Sequence, residues 1–357
     1  MLTFRHWVCW TLAGMLAAAS VPPYAATGQF KDPLDTPASA SQRGAFTQLN
    51  GIARAGNRLV AVGIRGLILV SDDGGGKWAQ AKVPVASDLL DVYFPTARDG
   101  WAVGHDGVVL HTSNGGDNWE KQLDGRMAAK LLTAHFQALA DAGDPQAAQF
   151  LHDTELNYKS GPEQALLSVW FQDALHGFVA GSFGTLLATD DGGKTWQSRG
   201  EFVEADIPLH YNAIRGTKSG LLIASEKGIV FRRDSASGRF LPMHTGYAGT
   251  FFNLVQTRGA VLALGLQGAA YRLPDGESQW QKLETGVASA FTGSAVLPDG
   301  HALIVTQTGQ LFATLDDGSR LRPITVTRPM LFTGVAWAAP GKAAVVGNGG
   351  LRLLSID

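Results

Sequence analysis

Cysteine is nearly absent: among 357 residues there is one, Cys9, and it lies inside an N-terminal apolar stretch. Beyond that stretch no disulfide, thiol nucleophile or cysteine metal site can form. Basic runs are missing as well. The chain carries 29 Lys and Arg against 31 Asp and Glu, a formal charge of -2, without basic and aromatic residues interleaved. Nucleic acid is therefore not an expected partner. No later stretch holds the roughly 20 consecutive apolar residues of a membrane-spanning helix. Catalytic signatures are equally scarce, with no nucleophile elbow and no phosphate-binding loop. His105 and His111 fall on different elements, and neither pairs with His210, His244 or His301 at a metal-ligand spacing. No catalytic residue, metal or cofactor is expected.

The first residues read as an export signal. Arg5 and His6 precede the apolar run 7–19, and Ala17-Ala18-Ala19-Ser20 offers small residues for cleavage, with a second candidate at Ala25-Ala26. The run is too short for a membrane anchor, and Leu-Ala-Gly at 12–14 is not followed by the cysteine of a lipoprotein. Residues 1–26 are expected to direct the chain to a periplasm, where it would be peripheral to the membrane at most and monomeric.

What the chain has in quantity is glycine, 44 residues, in a composition that is 45% hydrophobic. The glycines are periodic. Residues 100–119 read GWAVGHDGVVLHTSNGGDNW, and 177–196 (GFVAGSFGTLLATDDGGKTW) and 58–78 (RLVAVGIRGLILVSDDGGGKW) repeat the plan. Each is a strand, a tight glycine turn, a strand and a second glycine turn. The glycine closing the first hairpin recurs at Gly66, Gly107, Gly184, Gly228, Gly268, Gly309 and Gly349, with successive gaps of 41, 77, 44, 40, 41 and 40 residues. Five gaps equal one four-stranded blade, and the sixth is one blade plus an insertion. The expected fold is all-β, a seven-bladed β-propeller spanning 49–357 with a helical hairpin insertion between blades 2 and 3.

Innermost strands are expected at 90–94, 167–171, 211–214, 252–256, 293–297 and 333–337. The last unit ends without a fourth strand, so part of 27–48 is expected to supply it, because an open ring leaves unpaired edges. Within the insertion, about 125–161, Leu132, Phe136 and Leu139 keep a helical period, and Gly143 stops that helix. Asp144-Pro145 then caps a second helix with Ala147, Phe150, Leu151 and Thr154 on one face. The hairpin is either a decoration packed on a neighbouring blade or a lid or docking element.

Ser71 to Trp78 fits S/T-x-D-x-G-x-x-W, the Asp-box pattern, through Ser71, Asp73, Gly75 and Trp78. Thr112, Asn114, Gly116 and Trp119 fit it with Asn for Asp, as do Thr189, Asp191, Gly193 and Trp196. The acidic side chain is expected to bond turn amides, the glycine to take positive φ, and the indole to pack beneath. The spacing is not that of a calcium-binding EF-hand loop. Later copies decay, at Asp275-Gly276 with Trp280 and at 314–321.

The combination GWAVG-x-x-G-x-x-L-x-T-x-x-G-G-x-x-W resembles the photosystem II assembly and stability factor family, seven-bladed propellers of Asp-box (bacterial neuraminidase) repeats. Residues 100–119 and 177–196 carry the resemblance most clearly. It implies a non-enzymatic factor that docks on a membrane protein complex. Relatives in non-photosynthetic bacteria are exported and often tied to RND-type exporters, so such an exporter is one implied partner. That family's Asp/Glu-Arg-Gly hairpin turn occurs here once, altered to Ile64-Arg65-Gly66.

In a four-stranded blade the second-to-third hairpins and the blade-to-blade linkers emerge on one face, and the Asp-box turns on the other. Arg65, His105, Asp106, Phe183, Lys227, Gln267 and Asn348 would gather around the channel on the first face, the candidate for partner binding. Two other functions stay open. A sialidase-like glycosidase would need an arginine cluster with a paired tyrosine and glutamate, and the family's Arg-Ile-Pro signature is missing. A carbohydrate- or small-ligand-binding propeller would need aromatics such as Phe183 or Trp170 lining a pocket.

Overall fold

A computed structural model describes residues 31–356. The expected export signal at 1–26 lies outside them. Seven antiparallel sheets follow one another along the chain, at 49–80, 89–123, 166–198, 211–244, 251–283, 291–324 and 332–355; six have four strands and the seventh has three. Within each sheet the strands pair in chain order, so every blade is a simple meander. The innermost strands are Leu49–Ala55, Leu89–Tyr93, Leu166–Phe171, Tyr211–Thr217, Phe251–Gln256, Phe291–Val296 and Phe332–Ala339. Each lies beside the next and the seventh lies beside the first, so the ring is a seven-bladed β-propeller.

The second strands explain the ring. Gly100–Gly104, Ala260–Gly265 and Ala302–Thr306 are buried at every position. A strand covered on both faces reads as a continuous apolar run instead of an alternation. Neighbouring blades supply the two covers. Trp101 of blade 2 stacks on Phe171 of blade 3 with ring centroids 3.6 Å apart and planes 9° apart. Leu59 of blade 1 shares a core with Ala336, Ala338 and Ala344 of blade 7, which closes the circle.

The fourth strand expected for blade 7 is not found in 31–48, and 27–30 of the expected segment lie outside the described residues. Residues 31–48 hold two short turns, Pro33–Asp35 and Gly44–Phe46. Their backbone is committed elsewhere. Ala38 N–H donates to the Val83 carbonyl and Ala86 N–H to the Pro33 carbonyl, while Leu34 is buried among residues of blades 1 and 2. Pro33 and Pro37 also lack the amide a ladder requires. The second turn does reach blade 7, where a Cβ on Gly350 would stand 2.2 Å from the Ala45 carbonyl oxygen. The ring is thus shut by face packing, with a loop laid against the edge.

The insertion is a helical hairpin, α1 (Gly125–Asp141) and α2 (Ala147–Asn157). Asp124 caps α1 by accepting the Met127 N–H at 3.1 Å, and Gly143 ends it at φ +87°. Asp144 sits three residues before α2 and its side chain accepts the Gln146 amide, so the second helix starts later than the Asp-Pro pair suggests. Leu132 and Phe136 enter the same core as Val109 and Leu166, and Phe136 stacks on Phe150 at 5.2 Å. The hairpin is therefore anchored in the cores of blades 2 and 3. Among the described residues no helix is long and apolar enough to cross a membrane.

Candidate docking face

The two ends of the propeller are built by different chemistry. On one end lie the Asp-box turns. Ser71 Oγ donates to Asp73 Oδ1 and accepts the Gly75 amide, both at 2.9 Å, and Asp73 Oδ1 also accepts the amides of Gly76 and Lys77. Trp78 Nε1 donates to the Gly75 carbonyl at 3.0 Å. Blade 2 repeats this with Asn114 Oδ1 accepting from Thr112 Oγ1 and the Asn118 amide, Gly116 N–H donating to Thr112 Oγ1, and Trp119 donating to the Gly116 carbonyl. In blade 3 Asp191 accepts from Thr189 and Thr195, and Gly193 N–H donates to Thr189 Oγ1. The Trp196 indole nitrogen is buried without a partner. In the decayed copy of blade 6 the Thr314 hydroxyl accepts the Ala302 amide instead of folding its own turn.

These bonds set the acidity of the turns. The Thr195 hydroxyl and amide hold the Asp191 carboxyl down at about 2, well below the usual carboxylate range. The Lys77 amide and the Ser71 hydroxyl lower Asp73 in the same direction.

On the other end lie the second-to-third hairpins. Five non-glycine residues adopt the left-handed region there: Arg65 (φ 55°), Asp106 (59°), Phe183 (51°), Lys227 (56°) and Gln267 (54°). Each is followed by a glycine, also at positive φ. Packing dictates the glycine in blades 1, 2, 4 and 5. A Cβ on Gly228 would stand 1.9 Å from the Tyr247 carbonyl oxygen, and one on Gly268 1.7 Å from that of Val287. In blades 1 and 3 the amide of the preceding residue is held by the next linker. Arg65 N–H donates to Asp88 Oδ1 at 2.7 Å, and Phe183 N–H to His210 Nδ1 at 3.0 Å.

His105 lies beside Asp106, whose carboxylate accepts from Ser87 Oγ at 2.7 Å. Arg65, His105, Phe183, Lys227, Gln267 and Asn348 all present exposed surface. Asn348 differs from the rest. Gly347 pairs with Gly350, so the seventh hairpin has a two-residue turn, and the positive φ falls on Gly350, one residue beyond the periodic Gly349. Residues outside the repeat pattern join this end: Phe46 (77% exposed) beside Gly350 and Ile207 (46%) in the linker after blade 3.

The channel along the axis is lined by the innermost strands and holds two arginines, both engaged. Arg54 donates to the carbonyls of Trp337 and Gly56 and lies 4.4 Å over the Trp337 ring. Arg215 donates to Asp91 at 3.1 Å and to Ser168 at 2.8 Å, and Asp91 also accepts the Val169 amide. Burial pushes the nearby Tyr93 hydroxyl up, away from a nucleophilic phenolate. Trp170 also lines this channel, whereas Phe183 lines a separate groove under the helical hairpin.

A closed ring of blades, three of them with Asp-box turns, and an exposed crown of hairpin side chains define a repeat propeller. The family described as photosynthesis system II assembly factor YCF48 matches residues 55–131 and 148–330, more than half of the chain, and the protein belongs to that family. The photosystem II assembly lipoprotein Ycf48 of Synechococcus sp. (strain CC9902) is 22% identical over 309 residues, covering 84% of this chain and 82% of its own length. The chloroplastic photosystem II stability/assembly factor HCF136 of Oryza sativa subsp. japonica is 28% identical over 158 residues, 40% of this chain and 38% of its own. The structure of YCF48 bound to D1 peptide superposes with a TM-score of 0.62 at 17% identity, covering 90% of this chain and 99% of that one. The WD40 propeller domain of Doa1 reaches the same TM-score at 12% identity, covering 91% and 97%. At these identities the superpositions speak for the fold alone.

Proposed function

We propose that this protein is an exported, non-enzymatic accessory factor whose hairpin face docks on a membrane protein complex, with an RND-type exporter as one candidate. The carrying observation is the left-handed conformation of four exposed residues, Arg65, Phe183, Lys227 and Gln267. Glycine would adopt it without cost, whereas an L side chain there costs about 1 kcal/mol or more. Strain kept in exposed side chains that contribute little to the core marks a site where the side chains are used. Family membership supports the same direction, because the curated relatives are named as assembly factors of a membrane complex and one relative was solved with a peptide bound. Engagement of Arg54 and Arg215 by the framework leaves no free arginine cluster in the channel to grip a sugar carboxylate, which speaks against the glycosidase reading.

The test is a crosslinked pull-down of the full chain from its own cell envelope, with Arg65→Glu plus Lys227→Glu as the comparison. The expected outcome is enrichment of a membrane complex by the native chain and loss of it by the double variant, with unchanged melting. Equal capture by both would move the interface off this face.

A further inference from the structure

The helical hairpin does not lie flat on the ring. Between α2 and the linker that follows blade 3 it leaves a groove of about 750 Å³, within the size range of pockets that enclose a drug-sized molecule, about 300–1,000 Å³. Its floor is apolar, built by Phe136, Phe150, Tyr158, Val203 and Pro208, with the half-exposed rings and chains of Phe183 and Ile207 at its mouth. Burial pushes the Tyr158 hydroxyl up to about 12, so it stays neutral. One wall is fixed to the other at a single point, where His135 Nε2 of α1 lies 2.8 Å from Glu201 Oε1.

The rim is acidic. Asp153, Glu201, Glu204 and Asp206 line it against one cation, Arg239. Glu204 is spent on Arg239 at 2.7 Å, and Glu201 on His135 and Ser198. Asp153 accepts only from Gln149 of its own helix, and Asp206 has neither a hydrogen bond nor an ion pair among the described residues. Two carboxylates therefore face the groove without a cation. The family match stops at residue 131 and resumes at 148, leaving the last turns of α1 and the loop to α2 outside it.

We propose that this groove seats a peptide segment of the partner, with an apolar side chain entering between α2 and the 203–208 linker and flanking lysines or arginines meeting Asp153 and Asp206. The inference rests on the docking reading above and names the chemistry it selects. Charge complementarity makes the choice. An acyl chain with a phosphate headgroup would bring like charge to the rim, and an uncharged apolar ligand would leave both carboxylates unanswered.

The test uses the purified full chain and two fluorescein-labelled peptides, each with a central Phe-Leu pair, one flanked by lysines and one by glutamates. The lysine-flanked peptide is expected to bind about ten-fold tighter or more, with an advantage that shrinks as salt rises. Asp153→Lys with Asp206→Lys is expected to erase that advantage while leaving the melting temperature unchanged, since both side chains lie at the surface. Equal binding of the two peptides, indifference to the double variant, or tighter binding of a labelled fatty acid would overturn the inference. The envelope pull-down separates it from the docking reading. Peptide selectivity without envelope capture would leave the groove standing and sink the docking face, and capture without selectivity would do the reverse.

Discussion

The two ends of this propeller reach positive φ in different ways. At the Asp-box end blades 1 to 3 place glycine there in pairs: Gly74 and Gly75, Gly115 and Gly116, Gly192 and Gly193. In blade 6 Asp317 replaces the first glycine of the pair ahead of Gly318, with Asp316 left-handed as well, and aspartate tolerates that region better than most residues. At the hairpin end, glycine takes only the second left-handed position of these five turns, walled by a linker carbonyl at Gly66, Gly228 and Gly268, and the first goes to Arg, Asp, Phe, Lys or Gln. The same backbone requirement is thus met by the cheapest residue on one face and by five different side chains on the other. The Asp-box end is a clip whose polar atoms are turned inward on the turn itself. The hairpin end spends conformational energy to hold side chains outward.

The comparison breaks first at the clip. Trp119 is 6% exposed, meets Phe94 edge-on at 6.0 Å and donates to the Gly116 carbonyl. Trp119→Ala should cost about 3–5 kcal/mol, read as a lower urea midpoint at an unchanged slope, while the folded fraction captures partner normally. A capture defect in fully folded Trp119→Ala protein would mean the clip end also touches the partner. On the hairpin end Gly268→Ala should cost about 2–4 kcal/mol, from the left-handed backbone and the overlap with the Val287 carbonyl. Its neighbour should behave in the opposite sense. Gln267→Gly or Lys227→Gly should raise stability by up to about 1 kcal/mol and weaken capture. A loss of stability on either change would show that these side chains serve the fold.

Much of this architecture could be read from residue order. A glycine hairpin every 40 or so residues implies stacked blades, and the expected innermost strands at 90–94 and 211–214 lie within a residue or two of the ends of Leu89–Tyr93 and the start of Tyr211–Thr217. The helical hairpin was legible because Leu132 and Phe136 break the strand period. Ring closure was not. A rule about unpaired edges calls for a fourth strand in blade 7, but the prolines of the N-terminal segment and its bonds to Val83 and Ala86 settle the matter locally. The seventh hairpin was misplaced by one residue because Gly347-Asn348-Gly349-Gly350 allows several turns, and only the pairing of Gly347 with Gly350 selects one. The groove was invisible for a different reason. It is made by two segments, α2 and the linker after blade 3, whose juxtaposition no local pattern records.

The gentlest probe of the comparison is acid, because the clip turns carry carboxylates, Asp73 and Asp191, held low by the turns' own donors. Asp191 has its folded value near 2, and Asp73 is lowered in the same sense. A carboxyl depressed on folding adds stability above its unfolded value, about 3.9. That contribution fades as pH falls through the folded value, so the window is pH 4 to 2. Blade 2 has Asn114 in the same place and contributes nothing to this slope. Asp73→Asn with Asp191→Asn keeps one accepting oxygen but removes the charge and, at Asp191, the Oδ2 that accepts from Thr195 Oγ1, so the melting temperature at pH 7 should fall. Its fall between pH 4 and pH 2 should flatten, and Asn114→Asp in the native background should steepen it. An acid limb indifferent to all three changes would place the titrating groups elsewhere, with Asp35, held at about 2 by Arg126, and Asp173, held there by the His176 and Leu175 amides, as the next carboxylates to replace.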